Sequence, residues 1–393
     1  MAIHLAHSVQ SVTISAPIAL SPTAALREKA NELRSAGRPV IDLSAGELDF
    51  PTPDHVVAAA VKAAADPDNH RYGLASGLPR LREAIAAQAT DRLGTPIGPA
   101  QVAITNGAKQ ALFNALLAVL DRSGGEVLIP KPYWVSFPSM VTLAGGAPRM
   151  VPPSTADLRV TADDLEHAAS DATVALILVS PHNPTGHVYE RSDIEEIARW
   201  AARRNIWLIM DETYARLTYG VDAISPAIAY PPIVDRLISV GSVSKAYAMT
   251  GWRVGWLVGP QPIVDRAVAI QSHTTSNVNQ IAQHAALAAI TGPDVTERFR
   301  QRLELRRDRA IAALSGALAA PPTATGAFYL YIQLHDGRDD VTIASELLDL
   351  GGVVTVPGRS FGQPGYLRIS YAIDDALLDQ GVAFIADHLG RTA

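Results

Sequence analysis

The sequence predicts an α/β protein, with a largely parallel sheet buried on both faces followed by a separate α+β unit. Three observations carry that expectation. Short apolar runs alternate with amphipathic helical stretches up to about residue 295. Polar and aromatic residues gather directly after those runs, at what would be the carboxyl ends of strands. Beyond residue 296 a long Arg-rich helical pattern leads into shorter strands and helices. At 393 residues the chain exceeds what one ordinary hydrophobic core supports, so two units are expected, with the boundary near residue 295.

Residues 1 to about 20 are rich in Ser, Ala and His without a period and read as an arm. Pro22 to Ser35 reads as a helix, with Pro in the first turn and Gly37 past the end. Six apolar runs then read as strands: Val102 to Thr105, Val127 to Ile129, Val174 to Val179, Ile206 to Met210, Leu237 to Val240 and Trp256 to Val258. Helical patterns at Ala108 to Leu120 and Asp193 to Arg203 lie between them. After the helix pattern Thr296 to Leu314, strands are expected at Ala327 to Ile332, Val353 to Val356 and Leu367 to Tyr371. Helices are expected at Ile343 to Leu350 and Ala376 to Leu389. Pro152-Pro153 and Pro231-Pro232 read as loop markers.

Composition narrows the function. A formal charge of -6 with 48% apolar and 18% charged residues argues against a nucleic-acid surface and for small-molecule partners. With no cysteine there is no disulfide framework, thiolate nucleophile or thiolate metal site. No stretch approaches a membrane span and no leader pattern opens the chain, so a cytoplasmic protein is expected.

Lysine usage points to chemistry. Of 33 basic side chains only five are Lys (29, 62, 109, 131 and 245), so a retained lysine hints at a need for an amine. Unlike a guanidinium, an amine can lose its proton in a desolvated site and condense with an aldehyde. Lys245 lies in Gly241-Ser242-Val243-Ser244-Lys245, with Arg253 eight residues on, and these neighbours suit a phosphate. An aldehyde carrying a phosphate is pyridoxal 5'-phosphate (PLP).

Each residue taken singly has an ordinary reading. Lys245 alone would be a surface lysine, Arg253 a salt-bridge partner and Asp211 a helix cap. Tyr214 and Trp134 would be core, and Asn183-Pro184-Thr185-Gly186 a turn. Order, spacing and a shared sheet edge change that, since ligands of open α/β sheets bind beyond the carboxyl ends of the strands.

From about Ile41 to Tyr371 the chain resembles the class I/II aminotransferases of PLP fold type I, close to the bacterial aspartate aminotransferase subgroup. The resemblance rests on Ser-Val-Ser-Lys-Ala-Tyr-Ala-Met-Thr-Gly-Trp-Arg-Val-Gly, Asn-Pro-Thr-Gly, Asp-Glu-Thr-Tyr and Leu-Arg-Ile-Ser-Tyr-Ala, in the family's order. It implies a large PLP-binding domain, 46–295, on a mostly parallel seven-stranded sheet. It also implies a smaller α+β domain, 21–45 with 296–393, and an arm at 1–20.

The resemblance also implies roles. Lys245 would hold PLP through its amine and then act as general base. Asp211 would pair with the ring nitrogen, and Asn183 and Tyr214 would hydrogen-bond the ring's phenolic oxygen, with Trp134 stacked on the ring. The phosphate would lie on the backbone at Gly107, Ala108 and Lys109, completed by Ser242 and Arg253. Tyr72 would reach the phosphate of a neighbouring subunit, implying a homodimer. Arg368 would grip the substrate α-carboxylate beside the Gly46 backbone.

For the substrate side chain, relatives with a second arginine from the partner find no match near Gln271 to Gln283. The bacterial subgroup instead resembles this chain in its lysine after the glycine of the phosphate loop, so Lys109, with Ser21 and Thr23, would face an anionic side chain. Lys109 would otherwise be a further phosphate charge. Three departures stand out. Leu48 replaces the proline usual in Gly-Glu-Pro-Asp-Phe. His182 precedes Asn183 where Asn is frequent, and would meet a non-acidic substrate. Ile18-Ala19-Leu20 replaces the arginine of prephenate-using relatives.

The expected activity is transfer of an amino group from an acidic L-amino acid to a 2-oxo acid. Alternatives on the same fold are an aminotransferase for a non-acidic amino acid, or a PLP lyase, cyclase or oxidase, because the early steps are shared and the pocket decides the outcome. A non-catalytic binding protein is disfavoured by Lys245, and a nucleotide enzyme by the lack of Gly-rich phosphate motifs. No metal site is expected: His4 and His7 fall in the arm, and His182 and His187 flank a turn.

Overall fold

The computed structural model describes residues 21–121, 124–318, 320–335 and 338–391. The arm at 1–20, with Ile18-Ala19-Leu20, His4 and His7, lies outside the described residues. The first helix runs Pro22–Ser35, as the sequence predicts, and leads into strand β1, Ile41–Asp42.

The large sheet consists of β2 (Val102–Thr105), β3 (Glu126–Pro130), β4 (Ala147–Val151), β5 (Thr173–Val179), β6 (Trp207–Asp211), β7 (Leu237–Ser242) and β8 (Gly255–Val258), in the order β2-β8-β7-β6-β5-β3-β4. All pairs are parallel except the two made by β8, which runs antiparallel to both β2 and β7. This is the seven-stranded α/β sheet of the expected fold class. Its inner strands are buried on both faces. Leu176 and Leu178 of β5 and Leu208 and Met210 of β6 enter one core, while Ala175, Ile177, Val179 and Ile209 enter the other. That two-faced burial is why these strands read as continuous apolar runs. Helices 79–93 and 191–203 contribute to the first core, and helices 108–120 and 261–274 to the second.

Beyond helix Thr296–Leu314 stand β9 (Tyr329–Gln333), β10 (Val353–Val354), β11 (Val356–Pro357) and β12 (Tyr366–Ser370). The expected single strand from Val353 to Val356 is divided at Thr355. Its first half pairs with β1, and its second joins the antiparallel sheet β11-β12-β9. Helix Asp340–Gly351 starts three residues before the expected Ile343, because the Asp339 side chain accepts from the Thr342 N–H and caps it. The last helix, Asp375–Arg391, packs on helix Thr296–Leu314.

The topology places the site. β2, β3, β5, β6 and β7 send Gly107, Lys131 to Trp134, Asn183, Asp211 to Tyr214 and Ser242 to Lys245 from their carboxyl ends. β8 is antiparallel to its neighbours, so its beginning, preceded by Arg253, lies at that same edge. Among the described residues no helix is long and apolar enough to cross a membrane.

Candidate active site

A cavity of about 460 Å³ opens at this edge, between the large sheet and the β9/β12 pair. It is lined by Ser21, Thr23, Gly46, Ala108, Lys109, Trp134, Asn183, Asp211, Tyr214, Ser242, Lys245, Arg253 and Arg368. The structure therefore brings almost every predicted site residue to one place. Gly107 abuts it through Arg253. Tyr72 does not line the cavity of its own chain and is 91% exposed.

Lys245 follows β7 and its amine donates to the Gly46 carbonyl oxygen. Burial pushes that amine down to about 8, against the pull of Glu47. Asp211 ends β6, is buried, and accepts from the Thr213 N–H (3.0 Å) and the Thr213 hydroxyl, both on Oδ1. Burial pushes this carboxyl up, while those two bonds and the Lys245 amine pull it down. A cation placed at Oδ2 would hold it ionised.

At the amino end of helix 108–120 the first N–H groups have no acceptor within the helix. Gly107 has φ +82°, a conformation that favours glycine, and a Cβ there would come within 2.5 Å of the Arg253 Nη2. A Cβ on Gly255 would meet the Ala108 nitrogen at 2.6 Å, so two glycines keep this corner open. Arg253 is fixed by bonds from Nη1 to the Thr250 carbonyl (2.9 Å) and from Nη2 to the Asn106 carbonyl (3.3 Å). The Lys109 ammonium donates to the Ser136 hydroxyl at 3.2 Å and stands 4.7 Å over the Trp134 ring. Burial and then the Arg253 charge lower its pKa.

Arg368 rises from β12 on the opposite wall. It is 2% exposed and donates to the Asn183 Oδ1 (3.0 Å) and the Ser44 carbonyl (2.8 Å), while its Nε is buried with no partner among the described residues. A buried guanidinium lining a cavity is a suitable partner for an anion there. Its Cζ lies 4.4 Å from the centroid of the Tyr329 ring and 5.0 Å from that of Phe361.

The expectation for His182 is corrected. It does not line this cavity. Its Nδ1 lies 2.7 Å from the Thr185 hydroxyl, and burial pushes its pKa down to about 3, so it is a neutral packing residue behind the site. Tyr329, Ser44, Thr213 and Ser244 line the cavity without having been anticipated. Tyr329 had only its place in an expected strand to mark it.

A larger cavity, about 590 Å³, lies behind the Asp211–Tyr214 turn beside Arg92, Glu212 and Trp256. Its buried carboxylate, Glu212, is already engaged by Arg92 (2.7 Å) and the Ser239 hydroxyl. The smaller cavity combines an amine of lowered pKa with a buried guanidinium, and it is the candidate active site.

The arrangement fits PLP. Lys245 offers the amine, Asp211 a carboxylate, Asn183 and Tyr214 polar groups, and the Gly107 corner with Ser242 and Arg253 a cradle for a phosphate.

Comparison with known proteins agrees. The family model described as aminotransferase class I and II matches residues 38–385. A protein named aspartate aminotransferase from Streptomyces avermitilis is 45% identical over 94% of this chain and 93% of its own length. An aspartate/prephenate aminotransferase from Cereibacter sphaeroides is 40% identical over 93% of this chain and 95% of its own. Among solved structures, the aspartate aminotransferase of Thermus thermophilus with maleate superposes with a TM-score of 0.89 at 36% identity, covering 94% of this chain and 97% of that one.

Proposed function

The chain belongs to the aminotransferase class I and II family, and from that premise we propose that it takes an acidic L-amino acid, aspartate or glutamate, as donor and passes the amino group to a 2-oxo acid by a ping-pong sequence. The enzyme is a PLP-dependent aminotransferase. The observation that carries the substrate class is a pair of cationic side chains lining one cavity, the Arg368 guanidinium and the Lys109 ammonium. The name and bound maleate, a dicarboxylate, of the Thermus thermophilus structure support the same reading.

PLP, when bound, supplies an aldehyde for the lysine amine and a ring that accepts electrons from the substrate α-carbon. Ser242, Arg253 and the N–H groups of Ala108 and Lys109 would hold its phosphate, Trp134 its face, Asp211 its ring nitrogen, and Asn183 and Tyr214 its phenolic oxygen. Arg368 binds the substrate α-carboxylate through its guanidinium, with the Gly46 loop alongside. Lys109, with Ser21 and Thr23, receives the side-chain carboxylate. Lys245 Nζ, lowered from 10.5 to about 8, carries the proton removed from the α-carbon, because the shift raises the neutral fraction of the amine near neutral pH by roughly two orders of magnitude.

The domains are assigned as 46–295 for the PLP-binding unit, with 21–45 and 296–393 as the small one; the β1–β10 pairing supports joining 21–45 to the later segment. We place the enzyme in the cytoplasm as a homodimer in which Tyr72 reaches the partner's phosphate site. The exposure of Tyr72, Val61 and Leu74 supports that contact. Steady-state rates test the substrate class: kcat/KM for aspartate or glutamate should exceed that for alanine by at least about 100-fold, two carboxylate contacts being made instead of one. Equal values would reject it.

A further inference from the structure

We propose that Tyr329 is a positioning residue that aims the Tyr214 proton into the active-site cavity by donating its own hydroxyl hydrogen to the Tyr214 oxygen. The proposal rests on the reading that the cofactor's phenolic oxygen lies against Tyr214.

Tyr329 opens β9, two residues before Tyr331, which pairs with Arg368 across the β9/β12 ladder. It is 1% exposed, its ring lies beneath the Arg368 guanidinium, and its hydroxyl is 3.0 Å from that of Tyr214. The two rings meet edge to face at 5.9 Å, and Phe328 makes a second edge contact with Tyr214 at 5.5 Å, so neither phenol is free to turn away. Gly46 adds a constraint, since a Cβ there would stand 3.1 Å from the Tyr329 oxygen.

Each phenol carries one hydrogen, and burial raises the pKa of both, so both keep it. The pair then has two arrangements. If Tyr214 donates to Tyr329, no hydrogen remains for a ligand at Tyr214. If Tyr329 donates, the Tyr214 hydrogen is left for the cavity. Among the described residues the Tyr329 hydroxyl has no other hydrogen-bond partner, so an acceptor in the cavity selects the second arrangement. A hydroxyl that accepts a hydrogen bond also becomes a stronger donor. Tyr329 thereby links the carboxylate-binding arginine to the group that donates to the cofactor.

The test is a pH titration of the visible absorption of the PLP-loaded enzyme, in the wild type, Tyr329→Phe, Tyr214→Phe and the double variant. Hydrogen bonds donated to a phenolic anion favour it and lower the midpoint. Tyr214→Phe should raise the midpoint by about one unit or more, and Tyr329→Phe by about 0.3 unit, the share that cooperative polarisation carries. The double variant should match Tyr214→Phe alone, because Tyr329 acts only through Tyr214. Phe keeps the ring under Arg368, so KM for the amino donor should stay within about twofold in Tyr329→Phe and rise in Tyr329→Leu. An unmoved midpoint in Tyr329→Phe, with Tyr214→Phe shifted, overturns the proposal alone. A Tyr329→Phe shift that persists undiminished in the Tyr214→Phe background also overturns it. A silent Tyr214→Phe overturns the placement of the cofactor oxygen and, with it, the relay.

Discussion

Arg306 and Asp49 are joined by two parallel hydrogen bonds, Nη1 to Oδ1 at 2.7 Å and Nη2 to Oδ2 at 2.8 Å, and the Arg306 Nε is bonded to Asp375 at 2.7 Å. The arginine side chain is 5% exposed. This fork ties helix 296–314 to the loop Gly46-Glu47-Leu48-Asp49, whose Gly46 carbonyl accepts from Lys245. Where the family usually has a rigid proline, Leu48 stands, and the ion pair anchors the loop from its far side.

Breaking that pair should be costly. Arg306→Met leaves two carboxylates without their buried partner and should lower stability by about 3 kcal/mol, whereas Arg302→Ala, at an exposed partner of the same Asp375, should cost less than about 1 kcal/mol. Denaturant titration of the two variants checks the contrast, and equal losses would show that the fork does not anchor the loop.

The Lys245 amine should betray its lowered pKa before any cofactor is added. Burial holds it near 8 in the folded protein, against 10.5 ordinarily, so the folded state binds fewer protons between those values. Folding of the cofactor-free protein is therefore penalised below about pH 8, and the penalty fades as pH rises towards 10.5. Lys245→Met should be the more stable protein at pH 7, with the gap closing in alkali. Reductive labelling followed by mass spectrometry should show Lys245 reacting with a midpoint near 8, and a midpoint at the ordinary value of a free lysine amine would contradict the burial.

Gly107→Ala should weaken PLP binding by at least about tenfold, because the new methyl group must displace Arg253 and strain a backbone at φ +82°. Spectroscopic titration of the apoenzyme measures it. Unchanged affinity would remove the Gly107 corner from the phosphate site.

Lys109→Met separates the two uses of that lysine. If it receives the side-chain carboxylate, KM for aspartate should rise about 10- to 100-fold while turnover of alanine is unaffected. A loss of PLP affinity with equal loss for all donors would assign it to the phosphate instead.

Much of the fold and site is legible in the sequence. The inner strands are β-branched, apolar on both faces and followed by chemistry-bearing residues, so β5 and β6 and the Asp211 and Lys245 turns can be read directly. β4 cannot: Ala147-Pro148-Arg149-Met150 is an exposed edge strand carrying a proline, which no period marks. The reversed direction of β8, which brings Arg253 to the site, is a property of topology rather than of local residues. Tyr329 sits in an apolar stretch that reads as core, and its meaning appears only when strand register sets it between Tyr214 and Arg368. His182 misleads because a histidine beside Asn183 in sequence points to the opposite side of the turn.

The most direct test of the substrate claim is a half-reaction. PLP-loaded enzyme is mixed with L-aspartate, L-glutamate or a neutral amino acid while the visible cofactor band is followed, and a 2-oxo acid is then added. The band should be lost rapidly with the acidic amino acids, and only slowly with alanine, and the 2-oxo acid should restore it. A band lost only with a neutral amino acid, or one that no 2-oxo acid restores, would contradict the assignment of this cavity to amino transfer from acidic donors.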